Sequence, residues 1–91
     1  MLNSQEILRR IRHAARSGNY VLTIHATERM EQRGFVRHDV WHALTRGLHE
    51  PAKDELKNGQ WRHRIVACTL DGRGIRLAVS IEGQVIVVTV M

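Results

Sequence analysis

Ninety-one residues make one domain, too few for two cores, and an apolar content of 43%, mostly aliphatic, suffices for one modest core. A single cysteine excludes any intrachain disulfide, and no run reaches the ~20 apolar residues of a membrane span. Fourteen Lys and Arg against nine Asp and Glu give a formal charge of +5.

The surplus is of one kind. Twelve of the basic residues are arginines, and only Lys53 and Lys57 are lysines. A guanidinium is a planar fork that grips phosphate with two bonds and stacks on bases. An isoelectric point near 10.7 with arginines crowded into the first half is the electrostatic footprint of a nucleic-acid binder. The alternatives are simple solubility, or a basic face for an acidic protein. The opening MLNSQEILRR lacks the apolar run of a signal peptide, so a cytoplasmic location is expected, with Cys68 reduced and packed in the core.

In chain order, Asn3 and Glu6 have the spacing of a capping box. Ile7, Leu8, Ile11, Ala14 and Ala15 then recur at helical spacing until Gly18. The first helix is therefore expected over residues 4–17, with Arg9, Arg10, Arg12, His13 and Arg16 off its apolar stripe. A short extended piece covers residues 20–23. A second helix is expected from about His25 to Arg33, ending at Gly34. A third runs from about Arg37 to Arg46, turning Val40, Ala43 and Leu44 inward before Gly47.

The period then changes. Charged residues and Pro51 between Glu50 and Lys57 suit an edge strand. Asn58-Gly59 is a hairpin signal, because both turn positions require positive φ. Strands are expected from Trp61 to Leu70, from Ile75 to Ile81 by strict alternation, and from Val85 to Val90 as a continuous run in the sheet centre. The order predicts one α+β domain over residues 1–91: three short N-terminal helices packed on one face of a four-stranded antiparallel sheet.

The string HATERMEQRG carries the most chemistry. His25, Arg29 and Arg33 at i, i+4 and i+8 share one helix face. Like charges so spaced repel mildly, so the arrangement makes better sense with an anion above it: arginines clamp phosphate, and an imidazole moves a proton near neutral pH. The competing reading is a solvated basic face relieved by Glu28 and Glu31. In Gln60-Trp61-Arg62-His63-Arg64, alternation puts Trp61 and His63 on one face and Arg62 and Arg64 on the other. Trp61 is the natural core member, which leaves the arginines on the open face for a polyanion, or for cross-strand pairing with Glu50, Asp54 or Glu55. His38 and His42 have metal-ligand spacing, but no further ligand completes a set, so neither a metal nor a cofactor is expected. There is no glycine-rich phosphate loop, serine nucleophile elbow or carboxylate pair.

The stretch from Tyr20 to Gly34 resembles the signature T-x-H-A-x-x-R-M-x-x-R-G of a small bacterial domain of unknown function. The resemblance extends to His38-Asp39-Val40, to a Gly-x-Trp-Arg strand (Gly59 to Arg62) and to a closing Val-Val-Thr-Val (Val87 to Val90). That family looks like a branch of the RelE-like and barnase-like ribonuclease toxins, with helices before a four-stranded antiparallel sheet. One departure is Val36 before the third helix, where Ser or Thr is usual.

The resemblance implies an RNA-directed toxin that cleaves by attack of the substrate's own 2′-OH, without a metal. It points to His25, Arg29 and Arg62 as catalytic groups, with Arg33 and Thr89 holding substrate; Arg64, which alternation sets beside Arg62 on the open face, is expected to hold substrate with them. The expected partners are RNA, an acidic antitoxin-like protein and a second copy of the chain, with no membrane. A non-catalytic RNA-binding or protein-binding module is the alternative.

Overall fold

The computed structural model describes residues 2–91. Helix α1 spans Ser4–Ser17, strand β1 Tyr20–Leu22, helix α2 Ile24–Arg33 and helix α3 Arg37–Arg46. Strand β2 (Leu48–His49), a 3-10 turn (Pro51–Lys53), and strands β3 (Glu55–Lys57), β4 (Gln60–Cys68), β5 (Gly74–Ser80) and β6 (Val85–Val90) follow. The helices lie where the caps put them. The Asn3 side chain accepts from the Glu6 amide to open α1, and Gly18 closes it with φ 74°. α3 opens at Val36 without a side-chain cap. Asp39 supplies the other half of the box by accepting from the Val36 amide at 2.9 Å.

The sheet is mixed, which corrects the expected four antiparallel strands. Its order is β1-β6-β5-β4-β2, with β3 also paired to β4. The short piece after α1 enters the sheet as β1, parallel to β6, with Tyr20 opposite Val85 and Leu22 opposite Val87. Thr23 fixes this edge. Its amide donates to the Val87 carbonyl (3.2 Å), its hydroxyl donates to the Val88 carbonyl (2.7 Å), and the same oxygen accepts from the Ala26 amide. One residue thus ends the strand, caps α2 and pins both to β6.

The expected edge strand over residues 50–57 is broken in two. Pro51 starts a 3-10 turn instead of extending, so only Leu48–His49 and Glu55–Lys57 pair with β4. The Asn58-Gly59 turn has φ 52° and 77° at its two positions, as the dipeptide demands.

Ile7, Ile11, Ala14 and Ala15 of α1, Ala26 and Met30 of α2, and Val40, Ala43 and Leu44 of α3 form one core with Ile65, Ile75, Leu77, Val79, Val85, Val87 and Val90 from one sheet face. A bulge in the β5–β6 ladder between Ala78 and Val79 shifts the register, so Val87 and Val90 both point inward while Thr89 stands opposite Ala78 on the other face. Cys68, expected in the core, is exposed at the end of β4. Thr69 is buried in its place, its hydroxyl bonded to Asp71 and accepting from the Arg73 amide. No helix among the described residues is long and apolar enough to cross a membrane.

Gly47 ends α3 by close approach. Its φ of −70° suits any residue, but an added Cβ would overlap the Ala43 carbonyl oxygen and lie 2.6 Å from Ile65 Cγ2. Gly47→Ala is therefore expected to cost about 1–3 kcal/mol through overpacking. Urea denaturation checks it, and an unchanged midpoint would mean that α3 and β4 have room to part.

Candidate functional sites on the two faces of strand β4

Strand β4 carries chemistry on both faces. On the open face, the ladder sets Arg64 opposite Ala78 and Ala78 opposite Thr89, one lateral row across β4, β5 and β6. Ala78 is the small residue in the middle of the row, and a groove of about 160 Å³ lies there, lined by Lys53, Glu55, Arg62, Arg64, Ala78, Thr89 and Met91. Three cations and one carboxylate line it, so its field is positive. Glu55 is the cross-strand neighbour of Arg62, yet no ion pair joins the two.

Three of the six residues singled out from the sequence, Arg62, Arg64 and Thr89, thus line one groove. The other three lie on α2. This helix packs along β6 and starts from the Thr23 anchor on Val87 and Val88, one residue short of Thr89. Arg29 is half-buried. Its Nε and the Thr89 hydroxyl are both buried without a hydrogen-bond partner, one on the helix and one on the strand it packs against. His25 is exposed and is not among the residues that line the open-face groove. Arg33 is exposed in the last turn, and its carbonyl accepts from Arg73, which reaches over from the β4–β5 turn and also covers the Phe35 ring. Two strand spacings, about 9.5 Å, separate β4 from β6. The arginines of β4 line the groove, whereas α2 packs along β6, turns Ala26 and Met30 into the core and contributes none of the groove's lining residues.

The core-side face holds a cluster that sequence reasoning missed. Asp54 follows the 3-10 turn and points back under β4. Its carboxylate accepts from His63 Nδ1 (2.7 Å), from His49 Nε2 (2.9 Å to each oxygen) and from the Arg64 amide (3.0 Å). Ser4 Oγ lies 2.7 Å from His49 Nδ1. Because the carboxylate only accepts, His49 Nε2 carries a proton; in the neutral ring Nδ1 is then the acceptor, and Ser4 donates to it. The His49 and His63 rings meet edge to face, with centroids 5.5 Å apart. The His49 side chain is 3% exposed.

Burial pushes the Asp54 carboxyl up, but the bonds from His63, the Arg64 amide and His49 outweigh it and hold the group below the ordinary aspartate range. The carboxylate is therefore ionised at neutral pH. Beside it opens a cavity of about 690 Å³ lined by Leu2, Ile7, Pro51, Trp61 and Ile81 with Asn3, Ser4, His49, Asp54, His63 and Glu82.

Both Trp61 and His63 point to this side, as alternation requires. Histidine is the more deeply buried of the two, because Asp54 satisfies its ring, and Trp61 is left half-buried as a cavity wall. His49, Asp54 and His63 each present a ligand atom within 4.8 Å of the others, the donor set of a metal centre. These atoms are engaged in hydrogen bonds to one another. The i, i+4 pair from the sequence takes no part: His38 stacks on Trp41.

Comparisons with protein-family models, with curated proteins and with solved structures each find no match to this chain. The functional reading therefore rests on the geometry of these two faces.

Asp54→Asn is expected to lower stability at neutral pH. A carboxyl whose folded pKa lies below its unfolded one stabilises above the unfolded value, and that contribution drains away as pH falls through the folded one. The stability gap between wild type and Asp54→Asn should thus narrow as pH falls below about 4. Thermal denaturation across pH checks this, and a gap that does not narrow there would reverse the assignment.

Proposed function

We propose that this chain is an RNA-directed protein of the endoribonuclease-toxin type, which grips the sugar–phosphate backbone across the open sheet face. One observation carries the reading: Arg62, Arg64 and Lys53 line a single groove with Thr89, and α2 brings Arg29 to the strand that holds Thr89. A guanidinium pair on a rigid strand suits phosphate, and a floor of Ala78 admits it closely.

In the catalytic form of the proposal, the 2′-OH of RNA attacks the adjacent phosphorus. That forms the cyclic phosphate and expels the 5′-oxygen. Arg29 and Arg62 neutralise the charge that develops on the phosphoryl oxygens, and His25 transfers a proton. Arg33, Arg64 and Thr89 hold the strand in place. A cytoplasmic setting and an acidic antitoxin-like partner covering the basic face belong to the same proposal, as does pairing with a second copy. The exposure of His25 outside the groove favours a second reading, in which the face binds RNA without cleaving it.

Fluorescence anisotropy with a single-stranded RNA, at several salt concentrations, tests the binding. Arg62→Ala and Arg64→Ala should each weaken binding and lower the slope of log K against log salt by about one. Ala78→Leu should weaken it about tenfold, 1.4 kcal/mol, by filling the groove without touching a charge. Wild-type affinity in all three would remove RNA from this face. For cleavage, His25→Ala should slow turnover by about 10²–10⁴-fold while leaving affinity intact. Binding without any wild-type cleavage establishes the second reading.

A further inference from the structure

The cluster on the other face of β4 has its own chemistry. Ser4, His49 and Asp54 form a continuous chain, hydroxyl to imidazole to carboxylate, with links of 2.7 and 2.9 Å. This is the order of roles in nucleophilic hydroxyl catalysis, which is recognised by geometry and not by sequence position. The ring is turned the other way from the usual serine triad, with Nδ1 toward the hydroxyl and Nε2 toward the carboxylate. Either nitrogen serves as the base once the other is held protonated, and Asp54 does the holding. His63 and the Arg64 amide fix Asp54 in turn.

Ser4 is the first residue of α1. Of the amides in the first turn, Glu6 donates to the Asn3 side chain and Ile7 to the Asn3 carbonyl. That leaves the Ser4 and Gln5 amides without partners among the described residues, at the positive end of a fourteen-residue helix. A nucleophile that lines the cavity and two anion-stabilising donors therefore share one helix end. Leu2, Ile7, Pro51, Trp61 and Ile81 give the cavity an apolar wall that suits an aliphatic or aromatic acyl group, and Asn3, His63 and Glu82 line the rest.

We propose that Ser4, His49 and Asp54 form an acyl-transfer site that hydrolyses small carboxylic esters with apolar acyl groups. Ser4 Oγ attacks the ester carbonyl carbon, and its proton passes to His49 Nδ1. The carbonyl π pair moves onto oxygen, facing the Ser4 and Gln5 amides. As the carbonyl re-forms, the alkoxide leaves and takes the proton from His49 as an alcohol. Water then repeats the sequence on the acyl-Ser4 ester, giving the carboxylic acid and the free hydroxyl. The site is independent of RNA, and the strand itself separates it from the open-face groove.

The full chain is incubated with a fluorophosphonate probe in the presence of EDTA, and the adduct is located by peptide mass spectrometry. Phosphonylation at Ser4 is expected. It should be abolished by Ser4→Ala and slowed about 10²–10⁴-fold by His49→Gln. p-Nitrophenyl butyrate hydrolysis should fall with the same variants. Absence of a Ser4 adduct, an adduct equally fast in His49→Gln, or labelling abolished by EDTA overturns the proposal. Should His49→Gln fail to fold, Ser4→Ala decides, since it deletes one hydroxyl at a helix start; ester hydrolysis equal to wild type in that variant also overturns it.

Discussion

The Asp54 carboxylate is the constraint on which the rest of the site architecture depends. It draws two imidazoles and a backbone amide onto two oxygen atoms, and through His49 it reaches the start of α1. An ionised acid beneath a sheet is tolerable only when its lone pairs are filled, and here each oxygen has at least two donors. The effect on the chain is mechanical. Fixing residue 54 on the core side while β3 pairs with β4 leaves its neighbours Lys53 and Glu55 on the side of the open-face groove. Pro51 of the 3-10 turn, Leu2 and Ile7 line the cavity beside that anchor.

Each sheet face then acquires a different character from the same strand. Alternation along β4 delivers Arg62 and Arg64 to one side and Trp61 and His63 to the other, so a basic groove and an apolar cavity share a backbone. A polyanion suits the first surface and is poorly matched to the second. The Arg64 amide that donates to Asp54 belongs to a residue whose side chain faces the groove, so strand position and carboxylate are mechanically linked.

The helices were legible because their signals are local. Asn3 with Glu6, and Gly18 and Gly34 at positive φ, state where backbone hydrogen bonding must start and stop. The alternation of β5 and the Asn58-Gly59 turn are equally local. Non-local pairing was not legible. Nothing in Tyr20-Val-Leu announces that its partner is Val85 to Val87, sixty-five residues on, so the parallel edge was missed and the sheet was expected to be purely antiparallel. Cys68 was expected in the core because the apolar run continues past it, whereas β4 ends there and the turn gives Thr69 the buried position.

The missed cluster shows a second kind of limit. The alternative to a polyanion site paired the β4 arginines with Glu50, Asp54 or Glu55 by charge; Asp54 binds two histidines and the amide of Arg64 instead. An aspartate five residues after one histidine and nine before another is a weak pattern in a sequence. It becomes a site only because Pro51 breaks the edge strand and the 3-10 turn swings the carboxylate beneath β4. The signal within reach was the conflict at Trp61 and His63. Alternation puts both on the buried side, and a buried imidazole needs a partner. The nearby acids Glu50, Asp54 and Glu55 were the candidates, and asking which of them could face inward would have pointed to Asp54, the only one of the three that lines the cavity.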